Sequence, residues 1–467
     1  MTNLPKFILE KPKDIKDPNN TIKIRLLENE KDGYIFYDFG FSEKDKRYLF
    51  WDKVKYKYEE IFKNGDKKLE GFDINLAWKM IKVARNIKSK KTPIRTEGDK
   101  FFTYNDLPGL DQFLHETDLY LGGNFSIGDN LDEKTKKRIF LNSLSEEAIA
   151  SAQLEGAHSS RDAAIKMITE QREPKTKDEI MILNNYKAMM KLESEFAGQK
   201  DKKIGLETLL KYHKILTKGA IEDDNLDAIG RLRKKNEIIN VVDNEKNYIL
   251  HISPNISFVR KELKRLIDFV NDDKKYEFVH PVIKAIMIHF WIGYLHPFYD
   301  GNGRMARLLF YLYLLKHDYH FFGYYPISLV IKKSQQQYKM SYVYSEQDDE
   351  DLTYFIDYNI RKIKQAKKDF EKYIEKISIE QKKKKSRNKR LELKFSLNDR
   401  QIELLEYLTK SVGNVMTLSV YVDNNQITKS TGIKDFKVLK KEYLVDNKKV
   451  GREVKYFISG KGKRIMS

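Results

Sequence analysis

No cysteine occurs among the 467 residues, so disulfides and thiolate metal sites are excluded and nothing points to an oxidising compartment. The opening MTNLPKFILEKPKD lacks the charged-then-apolar layout of a secretory leader. No uninterrupted apolar run is long enough to cross a membrane. The best candidate, 282–298, is broken by Lys284 and His289 and reads as a buried helix. Internal repeats are also missing. What remains is a chain with 40% hydrophobic residues, long enough for two to three globular domains, expected in the cytoplasm and away from membranes. Its formal charge of +19 favours nucleic acid or other acidic partners, with lysine-rich solvated faces as the plainer reading.

Chemistry concentrates in residues 296–307, HPFYDGNGRMAR, between the apolar helical patterns 282–294 and 305–316. A glycine-rich turn that opens a helix leaves backbone N–H groups aimed at one point, which suits phosphate; here the turn is Gly301, Asn302 and Gly303. Arg304 and Arg307 are three apart and share a helix face beside it. Asp300 offers an oxygen ligand to a hard cation, Mg²⁺ or Mn²⁺. His296 can accept a proton at neutral pH, its reference pKa being about 6.5. A packed core histidine is the alternative for His296 alone, and also for His289, which a His-His-Asp metal site could otherwise use.

The segment resembles the signature of Fic-domain proteins, H-x-F-x-[DE]-G-N-G-R-x-x-R, with every fixed position filled. The resemblance implies a protein adenylyltransferase, which moves AMP from ATP to a Ser, Thr or Tyr hydroxyl of a target protein. His296 would then be the general base, Asp300 the metal ligand, and Gly301, Asn302, Gly303, Arg304 and Arg307 the phosphate-binding set. Phe298 would anchor the loop. Tyr338 would neighbour the adenine, with core packing as the alternative. The likeness extends from about residue 108 to about 377.

Two further segments take meaning from that family. Residues 236–252 are β-branched and apolar on both sides of a polar turn, a hairpin signal. With Gly230 and Arg233 upstream they resemble the family's target-docking flap (230–252), in which Asn236, Ile238 and Ile239 would meet the target; a simple packing hairpin is the alternative. Ser145, followed by two glutamates, reads as a helix start. On that helix (145–158) Ser151 and Glu155 share a face. Ser151, Glu155 and Gly156 resemble the inhibitory motif [ST]-x-x-x-E-[GN]. The resemblance implies a bidentate pair between Glu155 and Arg307 that silences the enzyme. The same site could instead remove AMP, with Glu155 positioning a water.

The expected fold is mainly α: a Fic-type helical bundle with a β-hairpin flap, an N-terminal α/β extension and a C-terminal winged helix-turn-helix. The extension (1–107) holds a strand at 21–27 and helices at 46–62 and 75–87. The Fic domain spans 108–377. A basic stretch (378–394) reads as a solvated helix end or linker. Residues 395–467 follow the order helix, helix, helix, wing, with Lys429, Lys434, Lys437 and Lys440 on the third helix and Asn424-Asn425 interrupting the second. Such a module suits DNA phosphates, protein docking or dimerisation. Partners are therefore ATP, a target protein, DNA through this module and a second copy of the chain. A DNA-binding regulator with secondary Fic activity is the rival reading.

Overall fold

The computed structural model describes residues 4–12, 37–38, 40–42, 44, 46–63, 74–121, 131–243, 245–272, 276–411, 413–450 and 453–466. The strand expected at 21–27 lies outside them. The described residues fall into two compact units, which divide after Phe370. The expected fold class holds at its coarse level: the architecture is mainly helical.

The first unit begins with α1 (Trp51–Lys63) and α2 (Ile74–Lys88), close to the two helices read from the sequence. Strands β1 (Lys90–Arg95) and β2 (Phe101–Tyr104) follow as an antiparallel pair. Arg85 fixes this region to the rest. It is fully buried, lies 3.6 Å from the Tyr48 ring centroid, and donates to the Tyr354 hydroxyl (3.1 Å) and the Gly40 and Leu49 carbonyls (2.9 and 3.0 Å). The described residues up to 107 are thus part of this unit.

Next come α3 (Leu110–Leu121), α4 (Glu133–Leu154), α5 (Arg161–Thr169), α6 (Lys177–Phe196) and α7 (Leu206–Thr217). The helix expected to start at Ser145 begins a dozen residues earlier. Asp132 accepts from the Thr135 amide (2.7 Å) and caps it, while Ser145 lies inside and donates to the Leu141 carbonyl. A true N-cap needs a free first turn, and apolar packing of Ile139 and Leu144 extends the helix through Ser145. The hairpin β3 (Asn240–Asp243) and β4 (Tyr248–Ile252) interrupts the helices where the pattern predicted one. A two-stranded hairpin is marginal alone. Here the N-terminal segment supports it, since Phe7 donates to the Ile249 carbonyl (2.9 Å) and Ile249 to the Pro5 carbonyl (3.0 Å).

Helix α8 (Ile256–Val270) leads to α9 (Pro281–Leu295), which starts with proline at N1 after a His280 cap. Almost every side chain of α9 is buried, as its continuous apolar run requires. It packs against α10 (Asn302–Lys316), also buried throughout most of its length. Helices α11 (Ile327–Lys332), α12 (Gln335–Gln347) and α13 (Thr353–Phe395) close the bundle. The basic stretch 378–394 is helical, as part of α13. No described helix is long and apolar enough to cross a membrane.

The second unit contains the end of α13, α14 (Asp399–Thr409), β5 (Met416–Thr417), α15 (Leu418–Asn425), α16 (Lys429–Lys441), β6 (Val445–Val450), β7 (Glu453–Ile458) and α17 (Gly460–Met466). Thr417 and Thr428 cap α15 and α16. Helix α15 runs through Asn424-Asn425 and ends at Gln426, whose φ is 52°. The strands form one sheet in the order β5-β7-β6, and Leu405, Phe436, Leu439 and Leu444 are among its core partners.

Candidate active site

Helix α9 must end before Pro297, because proline disfavours helical geometry at the preceding residue. His296 takes up the left-handed conformation there, φ 44° and ψ 58°. That is uncommon for a side chain with a Cβ and has to be held in place. Arg233 does so: its Nε donates to the His296 carbonyl (2.8 Å) and its backbone N–H to the Pro297 carbonyl (2.9 Å). The His296 Nδ1 faces the Gly293 carbonyl at 2.5 Å. A carbonyl only accepts, so Nδ1 carries the proton and Nε2 is left with a lone pair. Burial, helped by His251 and Arg233, lowers the His296 pKa to about 3. The ring is a neutral base.

The turn after His296 is built by its own side chains. Asn302 accepts from the Phe298 N–H and donates to the Phe298 carbonyl, both at 2.9 Å. Gly301 has φ 79°, which glycine adopts without strain. The Asn302 amide side chain is thus spent on the turn, and what it can offer an anion is its backbone N–H at the start of α10. Beneath the loop, Phe298 is buried and stacks on His213 at 3.9 Å and 7°. His213 Nδ1 receives the Gly230 N–H (3.1 Å), so Nε2 is the protonated atom and donates to the Asp300 carbonyl (2.9 Å). Burial lowers its pKa to about 4.

Asp300 pairs through Oδ2 with Arg304 (2.8 Å), and its Oδ1 receives the Gly301 N–H (2.6 Å). Arg304 is buried and also donates to the Leu216 carbonyl (2.9 Å), so in this state it braces the loop. The Asp300 side chain is 43% exposed. One accessible carboxylate, with no cluster of three or more acidic, His or Cys ligands among the described residues, fits Mg²⁺ arriving with phosphates rather than held in a protein cage.

Arg307 is the meeting point of the two sequence motifs. It donates Nε to Ser151 Oγ, and Nη2 to both the Ser151 carbonyl and Glu155 Oε1, all at 2.9 Å. The expected pair between Glu155 and Arg307 forms, but through one carboxylate oxygen. Ser151, one turn earlier on α4, takes the remaining contacts of that edge of the guanidinium. Glu155 sits at the C-cap, and Gly156 (φ 97°) ends the helix, with Ala157 N–H returning to the Ala152 carbonyl. A Cβ on Gly303 would lie 2.2 Å from Glu155 Oε1, so the carboxylate rests directly over the first turn of α10.

Tyr338, on α12, is half-buried with its hydroxyl 2.8 Å from His289 Nε2. His289 is therefore a packed residue bonded to Tyr338, its pKa lowered to about 3 by burial. In the hairpin region Arg233 holds the His296 turn, Gly230 (φ 73°) donates to His213, Asn236 and Ile238 are exposed, and Ile239 is half-buried. His213 and His251 went unnoticed in the sequence, because each is an isolated histidine that only packing brings to the site.

Three neutral imidazoles, His213 and His289 buried and His296 half-buried, have a consequence for stability. Their folded pKa values lie below the unfolded value of about 6.5, so the unfolded chain binds more protons and stability falls as pH drops below that point. Each ring should cost about 1.4 kcal/mol by roughly pH 5.5. Melting temperature should decline between pH 7 and 5.5, ahead of carboxylate titration; a flat profile there contradicts the assignment.

Residues 203–314 match the family model of the Fic/DOC family. The chain is 32% identical to protein adenylyltransferase fic-1 of Caenorhabditis elegans over 92 residues, 20% of this chain and 16% of that protein. It is 39% identical to protein adenylyltransferase Fic of Nematostella vectensis over 59 residues, 13% of this chain and 14% of that one. The chain thus spans about a sixth of the length of these curated relatives. The solved structure of a Fic family protein from Desulfovibrio desulfuricans shares the fold, with a TM-score of 0.52 at 17% identity over 77% of this chain and 98% of that one. The loop that carries His296, between two buried helices, therefore lies in a Fic domain, homologous over part of its length to Fic protein adenylyltransferases.

Proposed function

We propose that this chain is a protein adenylyltransferase that restrains itself through Glu155. The observation that carries the reading is the placement of a neutral His296, with Nε2 unprotonated, on the loop before an anion-ready helix start whose Arg307 is held by Ser151 and Glu155. The names of the partial relatives support AMP transfer.

In this reading ATP lies along the turn at 301–303 with its phosphates on the N–H groups of α10. Nε2 of His296 takes the proton of a Ser, Thr or Tyr hydroxyl, and that oxygen forms a bond to the α-phosphorus. The bond between the α-phosphorus and the bridging oxygen breaks, and pyrophosphate leaves. Asp300 would hold Mg²⁺, which neutralises phosphate charge when bound. Arg304 and a released Arg307 would meet the outer phosphates. The hairpin would align the target, with Ile238, 55% exposed, as an apolar contact. Incubating the full chain with α-labelled ATP and Mg²⁺ tests the reading, through covalent label on the protein.

A second property rests on charge. Residues 371–467 hold 24 lysines and arginines against 12 acidic residues, so most of the excess positive charge lies there. The only acid in α16, Asp435, is buried against Arg400 (3.1 Å), Tyr421 (3.0 Å) and Asn398 (3.1 Å). The exposed face of that helix is left with Lys434, Lys437 and Lys440. We infer a winged helix whose third helix contacts nucleic-acid phosphates. Lys434→Glu with Lys437→Glu in the full chain should weaken retention on duplex DNA and lower the salt slope by about 2. Unaltered retention would remove this reading.

A further inference from the structure

Helix C-termini leave their last carbonyls without intrahelical donors. At the end of α9 two consecutive orphans are taken by two imidazoles. The Gly293 carbonyl receives His296 Nδ1, and the Tyr294 carbonyl receives His251 Nε2 at 2.8 Å. His251 stands on β4, is buried, and places its other nitrogen 2.7 Å from Glu346 Oε2 on α12. Its ring centroid is 5.8 Å from that of His296. One side chain therefore joins the hairpin, the end of α9 and α12, beside the proposed base. Arg233 secures the carbonyl of the strained residue, His296, and His251 secures the one two residues before.

We propose that His251, held by Glu346, is a positioning residue for His296: it clamps β4 to the last turn of α9 and so fixes the direction of Nε2. This rests on the transfer reading given above. The clamp has a definite hydrogen-bond requirement. Tyr294 and Glu346 both present acceptors, so the two bonds form together only when the pair holds a second proton. An amide at 346 changes the count. Its NH₂ can donate to Nδ1 while a neutral ring still donates from Nε2 to Tyr294. A clamp therefore survives Glu346→Gln and fails in His251→Ala.

The test uses the full chain carrying Glu155→Gly, labelled with α-labelled ATP, and adds His251→Ala or Glu346→Gln. The clamp predicts that His251→Ala lowers kcat by at least about tenfold, since misaimed reactants are penalised steeply. KM for ATP should stay constant, Glu346→Gln should keep most of the rate, and added imidazole should restore part of the His251→Ala loss. A folded His251→Ala protein with the parent rate overturns the proposal. So does an equal loss in both variants, which would assign the role to charge. If the Glu155→Gly parent labels nothing, the transfer reading fails, and hydrogen exchange judges the clamp separately. Amides of 248–252 and 293–298 should then exchange faster in His251→Ala than in Glu346→Gln; equal exchange overturns it.

Discussion

Glu155→Gly should raise self-labelling from α-labelled ATP by about ten- to a hundredfold. The basis is the state of Arg307, whose Nε and Nη2 are committed to Ser151 and Glu155. The carboxylate also rests over Gly303, on the helix start where a phosphate would lie. Both effects keep the outer phosphates from a productive seat, and a displacement of about 1 Å can cost two orders of magnitude. Removal leaves two Ser151 bonds and an arginine without its counter-ion. The guanidinium is buried but the carboxylate is partly exposed, so stability should fall by roughly 1–3 kcal/mol, less than for a fully buried pair. Glu155→Gln, which keeps an acceptor without charge, should fall between. Labelling by Glu155→Gly equal to that of the parent, in a folded protein, would end the inhibitory assignment.

His296→Ala should do the opposite in the released background and lower labelling by roughly 10²–10⁴, the usual contribution of a general base. ATP affinity should change little, because the ring contacts the Gly293 carbonyl and the phosphate-binding amides belong to α10. Titration calorimetry with ATP separates the two quantities. A residual rate close to that of the released parent would take the proton-transfer role away from His296. Lost ATP binding would indicate a collapsed loop instead, and circular dichroism distinguishes that case.

How much of this was legible beforehand depended on whether the information was contiguous. Residues 296–307 shape their turn largely among themselves, with Asn302 closing it on Phe298 and Asp300 pairing with Arg304, so one contiguous stretch drew attention to them as a candidate site. Ser151 and Glu155 were legible as a pair because one helical turn separates them. The start of their helix was not, since Ser145 has good capping chemistry but lies within a longer apolar face capped at Asp132. The β1–β2 pair was hidden by the charged, proline-containing segment Lys90–Arg95, which lacks a clean alternation. His213, His251 and Glu346 belong to separate elements, and only tertiary packing gives them partners. Arg85 is a similar case, a cation whose aromatic and carbonyl surroundings come from distant segments.

The pairing of Pro5 and Phe7 with Ile249 has a practical outcome. Gln347 reinforces it by receiving the Leu9 N–H and donating to the Phe7 carbonyl. On the transfer reading, this segment lies beside the hairpin that would receive a target protein. Changes at Pro5 or Phe7 therefore become a variable to be controlled whenever the hairpin is tested.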